Sequence, residues 1–138
     1  MMTRAIAFGT FSLIHPGHVY YLTTAKKLAD ELIVIVARDS TVKKVKGKNL
    51  VPEEQRRKVI ESLKPVDKAI LGDSRDKYKV IEEYHPDVIV LGSDQEEDVE
   101  RFKHELNKRG LNPKIVRVSK ATGKLYKSSK LLDYVCSP

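Results

Sequence analysis

Two histidines three residues apart, His15 and His18, enclose Pro16 and Gly17 in the segment Gly9-Thr10-Phe11-Ser12-Leu13-Ile14-His15-Pro16-Gly17-His18. An apolar run, Ala5 to Phe8, precedes it, and an amphipathic pattern begins near Gly17. The spacing places both imidazoles at the start of a helix. A helix start offers unpaired backbone N–H groups and the positive end of the dipole, so it suits an anion, and imidazoles add side-chain donors. The chemistry expected here is phosphate handling at a strand-to-helix turn. Gly-x-Gly-x-x-Gly is absent and so is Gly-Lys-Ser/Thr, which sets the turn apart from the dinucleotide fingerprint and the P-loop. Two histidines at i and i+3 could ligate one ion, but no third ligand is nearby in sequence, which argues against a protein-held metal.

Three further groupings could serve a phosphorylated ligand. Lys43-Lys44-Val45-Lys46-Gly47-Lys48 is a basic stretch in what reads as a long loop from Asp39 to Val51, and Lys44 or Lys46 could close over a polyphosphate. A solvated basic loop is the plain alternative. Arg56 follows, near the start of a helix, and is the arginine best placed to clamp a phosphate. Gly92-Ser93-Asp94 comes after another apolar run. The glycine would let a ligand approach the backbone, and Asp94 could accept from a base or sugar, cap a helix, or both. Tyr126-Lys127-Ser128-Ser129-Lys130 puts two hydroxyls and flanking lysines at a second helix start, where Ser128, Ser129 and Lys130 would form a second anion nest.

The elements that must position these groups alternate. Strands are predicted at Ala5–Phe8, Leu32–Ala37, Lys68–Leu71, Val88–Leu91 and Ile115–Val118. The continuous run Leu32-Ile33-Val34-Ile35-Val36 is what a strand buried on both faces of a parallel sheet requires. Val19, Leu22, Ala25 and Ala29 would line the inner face of a first helix. Pro52-Glu53-Glu54 opens a second helix with Val59, Ile60 and Leu63 on its apolar side. A third covers Asp76 to Tyr84. Asp94 with Glu97 looks like the cap of a fourth, which carries Val99, Phe102 and Leu106 inward and closes at Gly110. A last helix covers Ser128 to Val135. The expectation is α/β: a single-domain, doubly wound, five-stranded parallel sheet spanning residues 1–138, with ligands beyond the carboxyl ends of the strands.

Bulk properties narrow the class. Apolar residues make up 41% of 138, as in an ordinary globular chain, and no apolar run approaches the ~20 residues that span a bilayer. With no signal-peptide pattern ahead of the first strand, a cytoplasmic location without membrane attachment is expected. The lone Cys136 cannot form an internal disulfide. The net charge of +7 is spread along the chain, and the six tyrosines and three phenylalanines are scattered. That speaks against a nucleic-acid-binding face and suits small anionic substrates.

Together these motifs resemble the cytidylyltransferase-like nucleotidyltransferases, whose Gly-Thr-Phe-x-x-x-His-x-Gly-His signature matches Gly9 to His18. Arg56 ahead of Val66-Asp67, Gly92 with Asp94, and Ser128-Ser129-Lys130 match further positions. Within the superfamily the chain is most similar to archaeal-type FAD synthases. The closer likeness lies in Asp30 to Asp39, Pro52 to Arg57 and Val90 to Gln95. The resemblance implies adenylyl transfer from ATP to FMN with Mg²⁺ or another divalent cation, giving FAD and pyrophosphate. Glycerol-3-phosphate cytidylyltransferase is the alternative. The nucleotidyltransferase resemblance implies His15, His18, Lys44 and Arg56 as catalytic groups. It implies Gly9, Thr10, Phe11, Pro16, Gly17, Lys46, Gly92, Asp94, Tyr126, Ser128, Ser129 and Lys130 around the nucleotide, and it suggests a homodimer. Ser12 departs from the family's usual Asp, and Lys127 stands where many members have a small hydroxyl residue.

Overall fold

A computed structural model describes residues 2–46, 51–92 and 98–118, with the backbone alone for 43–46. Its elements, in chain order, are β1 (Arg4–Gly9), α1 (Pro16–Lys26), β2 (Glu31–Val36), α2 (Asp39–Lys46), α3 (Glu53–Glu61), β3 (Lys68–Leu71), α4 (Lys77–Tyr84), β4 (Val88–Leu91), α5 (Val99–Lys108) and β5 (Lys114–Arg117). The strands form one sheet in the order β3-β2-β1-β4-β5, with every pairing parallel. The chain winds outward from β1 to β3, crosses back, and winds outward again from β4 to β5. The switch in direction therefore falls between β1 and β4, where an open sheet leaves its crevice.

Alternation along β1 divides the core. Ala5 and Ala7 face one buried cluster with Tyr21, Leu22 and Ala25 of α1 and Ile60 of α3. Ile6 faces the other, with Val80 and Ile81 of α4 and Phe102 and Leu106 of α5. Helices thus cover both faces, and β2 is buried almost throughout because each face of it has a partner layer. Among the described residues no helix is long and apolar enough to cross a membrane.

Five local expectations change. Val59, expected on the apolar side of α3 beside Ile60, is exposed while Ile60 is buried. Val19 is exposed and Tyr21 is buried: at 100° per residue the inner face of α1 centres on His18, Leu22 and Ala25, which leaves Val19 at its margin. The stretch read as a loop from Asp39 is helical as far as Lys46, with Val42 buried and the Asp39 N–H held by the Glu53 carboxylate at 2.8 Å. Pro52 is the N-cap of α3 rather than its first residue. The cap of α5 is Asp98, which accepts from the Arg101 N–H, in place of the expected Asp94. Gly110, at φ +79°, ends α5 as predicted. Its N–H reaches Asn107 O and the Leu111 N–H reaches Leu106 O, a Schellman closure that buries Leu111. The last predicted helix lies outside the described residues.

Candidate active site

The first turn after β1 is built around an aromatic ring. Gly9 ends the strand, and a Cβ there would stand 2.5 Å from the Phe11 ring. Glycine is therefore required so that Phe11 can fold back over the strand end. Phe11 does so at φ 55°, a left-handed conformation that costs a residue with a Cβ about 1–2 kcal/mol. Its ring is buried and meets His18 edge-on, with centroids 5.2 Å apart. His18 in turn stacks on His15 at 3.9 Å and 23°. The i, i+3 spacing thus becomes a stacked imidazole pair backed by a phenyl ring.

His15 is the N-cap of α1. Its backbone is extended, its Nδ1 accepts from the Gly17 N–H at 3.0 Å, and its carbonyl accepts from the His18 and Val19 N–H groups. Two consequences follow. The backbone donors expected to bind an anion at this helix start are already engaged, and Pro16 contributes none. An imidazole whose Nδ1 is an acceptor carries its proton on Nε2 when neutral, so His15 has a fixed donor nitrogen. An anion brought to this tip would meet side-chain donors and the helix dipole rather than free amides.

Arg56 is placed differently from its sequence expectation. Its side chain is 0% exposed. Nε donates to Val51 O, Nη1 to Thr10 O and Ala37 O, and Nη2 to Asp39 Oδ1, at 2.7–2.8 Å. A guanidinium enclosed and engaged in this way does not reach a phosphate. It joins the loop after β1, the loop after β2 and the start of α2. Arg38 and Glu53 extend the same web: Arg38 donates to Gly72 O and to Glu53, whose other oxygen holds Asp39.

Across the crevice, Gly92 follows β4, and its carbonyl accepts from Arg117 Nη1 at 2.9 Å. Gly9, Thr10, Phe11, His15, Pro16, Gly17 and His18 are thus one continuous turn on β1 and α1, with Gly92 at the end of the next strand over. Lys44 and Lys46 lie in α2, described by backbone alone. Asp94, Tyr126, Ser128, Ser129 and Lys130 lie outside the described residues. Tyr21 and Arg117 carried no expected role here, and Asp39 and Glu53, expected only in a loop and a helix's first turn, hold the loop after β2 in place. A tyrosine at the margin of an apolar helix face, which must find a partner for its hydroxyl once buried, was the available signal for Tyr21.

A parallel sheet wound 3-2-1-4-5 with this histidine turn at its switch defines a nucleotidyltransferase fold, and a family model described as cytidylyltransferase-like matches residues 6–133. The chain belongs to the cytidylyltransferase-like family. It is 52% identical over 135 residues to the FAD synthase of Ferroglobus placidus, covering 97% of this chain and 88% of that one. It is 53% identical over 131 residues to the FAD synthase of Archaeoglobus fulgidus, covering 94% and 95%. Among solved structures, a protein from Thermoplasma volcanium titled a lipopolysaccharide core biosynthesis protein superposes with a TM-score of 0.85 at 46% identity, covering 88% of this chain and 100% of that one.

Proposed function

We propose that this protein transfers the AMP moiety of ATP to FMN, forming FAD and pyrophosphate. The observation that carries the reading is the stacked His15–His18 pair, buttressed by Phe11 at the helix tip beside the β1/β4 switch. The near-full-length likeness to chains named FAD synthase supports flavin as the acceptor.

In this reading a terminal phosphate oxygen of FMN attacks the α-phosphorus of ATP in line, and the bond to the bridging oxygen of pyrophosphate breaks. A phosphate monoester is already nucleophilic near neutral pH, so positioning and charge stabilisation carry the catalysis. His15, through Nε2, and His18 donate to the triphosphate as charge develops. Gly9, Thr10, Phe11, Pro16 and Gly17 shape that turn, and Arg56 acts through Thr10 and Ala37 as a positioning residue. Lys44 and Lys46 close over the phosphates. Gly92 lets the nucleoside approach the backbone, Asp94 accepts from its sugar or base, Tyr126 contacts the nucleotide, and Ser128, Ser129 and Lys130 hold the β- and γ-phosphates. In this reading a divalent cation arrives with ATP, bound to its phosphate oxygens. Mg²⁺ so delivered would neutralise phosphate charge. The same reading takes the enzyme as a cytoplasmic homodimer.

The test is to incubate the protein with Mg²⁺ and either ATP plus FMN or CTP plus glycerol 3-phosphate, and to follow pyrophosphate and product. FAD from ATP and FMN is expected. CDP-glycerol in place of FAD would overturn the proposal.

A further inference from the structure

β1 and β4 are neighbours over a short register, Ala5↔Val88 to Ala7↔Val90. Beyond that rung the partners separate: β1 continues beside β2 through Phe8↔Ile35 and Gly9↔Val36, and β4 continues beside β5 through Leu91↔Arg117. This fork is the floor of the crevice. The Tyr21 hydroxyl lies on it, accepting from the Phe8 N–H at 3.2 Å and donating to Val90 O at 2.6 Å. The side chain comes from α1, the helix that carries His15 and His18 on its first turn. Higher up, the two walls are drawn apart. On one side Gly9 O accepts from the Ala37 N–H and Thr10 O from Arg56; on the other Leu91 O accepts from the Val118 N–H and Gly92 O from Arg117.

We propose that Tyr21 is a positioning residue for nucleotidyl transfer: its hydroxyl fixes α1, and with it the imidazole pair, against the exit of β4. The proposal rests on the reading of this crevice as the FMN adenylylation site. Packing alone does not require the hydroxyl, since a phenylalanine would fill the same volume beside Leu22 and Ala25. What the oxygen adds is a two-sided hydrogen bond between neighbouring strands at the point where they diverge. A hydrogen bond has a narrow range of working distances, whereas apolar contact tolerates sliding. Without it, α1 is free to shift against β4 by a fraction of an ångström. A displacement on that scale between donor groups and reacting phosphorus lowers the rate while leaving most of the binding surface intact.

The experiment compares wild type, Tyr21→Phe and Ile81→Val, the last removing one methyl group from the opposite core cluster. With ATP, FMN and Mg²⁺, Tyr21→Phe is expected to lower kcat by about tenfold or more, with both KM values within about threefold of wild type. Its thermal midpoint should fall further than that of Ile81→Val, because the Phe8 N–H and Val90 O lose their partner, but both variants should stay folded at the assay temperature, and Ile81→Val should keep the wild-type kcat. A kcat within about twofold of wild type, or a loss no larger than the fraction unfolded, would overturn the proposal. A second readout does not depend on the reaction. The His15 and His18 ring NMR signals of the nucleotide-free protein should move in Tyr21→Phe and stay put in Ile81→Val. If wild type makes no FAD, the assigned reaction fails, and unmoved ring signals would still, by themselves, sink the role of Tyr21.

Discussion

The two ends of the sheet are held by opposite means. At the amino edge, exposed carboxylates catch the strand starts: Asp30 accepts from the Thr3 N–H, Asp87 from the Arg4 N–H and Asp67 from the Leu32 N–H, each at 2.8 Å. Lys26 pairs with Asp67 and Arg4 with Glu31 in the same water-facing layer. At the carboxyl edge the polar groups are enclosed. His15 and Arg56 are buried, Phe11 sits in a left-handed conformation, and Gly9 leaves no room for a methyl group. Solvent screens the first set, and any one of its members can be lost cheaply. The second set is interlocked, so a change in one member moves the others. Strain and buried polar groups are gathered where the chemistry is placed, and forgiving surface pairs where it is not.

The contrast is tested most severely at the imidazoles. His18→Ala should lower kcat by roughly 100- to 1000-fold, about 2.7–4 kcal/mol of transition-state stabilisation, with a much smaller change in KM for ATP. An unchanged kcat would remove His18 from the reaction. Arg56→Met comes next. It leaves Thr10 O, Ala37 O, Val51 O and Asp39 without their donor and should cost about 3 kcal/mol of stability. The matching control is its part-buried neighbour Arg57→Met, which gives up pairs with Glu54 and Glu61 and a long bond to Ala69 O at 3.4 Å, and should cost about 1 kcal/mol. Urea midpoints at constant slope measure both, and equal losses would erase the difference between the fully buried and the part-buried arginine.

Glycine substitutions give a finer comparison. In Gly9→Ala the new methyl meets the Phe11 ring, which must swing away and release His18. Overpacking of this kind costs about 1–3 kcal/mol, and activity should fall further than stability does. In Gly110→Ala the methyl enters open space, and the φ of +79° is the only penalty, about 1 kcal/mol with kcat unchanged. Activity losses in proportion to stability for both variants would mean that the turn after β1 is no more specialised than a helix end.

Much of the scaffold was legible in the sequence because strands buried on both faces leave unbroken apolar runs. Val88–Leu91 has its expected bounds for that reason, and Lys68–Leu71 has them too although it is the edge strand with only Ala69 buried. The spacing of His15 and His18 places both imidazoles at a helix start, and there they stack. What could not be read depends on partners distant in the chain. The helical start at Asp39 is secured by Glu53 and Arg56, 14 and 17 residues away, while the lysines that follow look like a solvated loop. Arg56 declares an affinity for oxygen atoms, but nothing local says that they belong to the protein itself. The Asp94–Glu97 spacing in the sequence points to Asp94 as the cap of α5, whereas Asp98 caps it, one turn ahead of the buried Phe102.

The mildest change lies at the amino edge and concerns pH. Burial pushes the Asp67 carboxyl up, but its hydrogen bonds to Lys26 and to the Leu32 N–H, together with the Lys26 charge, outweigh that and hold it below its ordinary value of 3.8. The Thr3 N–H, then the Thr3 hydroxyl, hold Asp30 down as well, against a smaller effect of burial and with help from the Lys26 charge. A carboxylate with a depressed pKa in the folded state binds fewer protons there than in the unfolded chain. Its contribution is therefore complete above 3.8 and lost as pH falls below that value towards the folded pKa. Asp67→Asn keeps an oxygen for the Leu32 N–H and gives up the attraction to Lys26. Urea midpoints should differ little from wild type at pH 7, and the acid-side fall between pH 4 and pH 2 should be shallower by the share that Asp67 carries. The kcat profile between pH 6 and pH 9 should be untouched, because no ionisation at this edge reaches the imidazoles through the sheet. A variant that altered that profile would show that the two edges are coupled and that the screened layer belongs to the catalytic machinery after all.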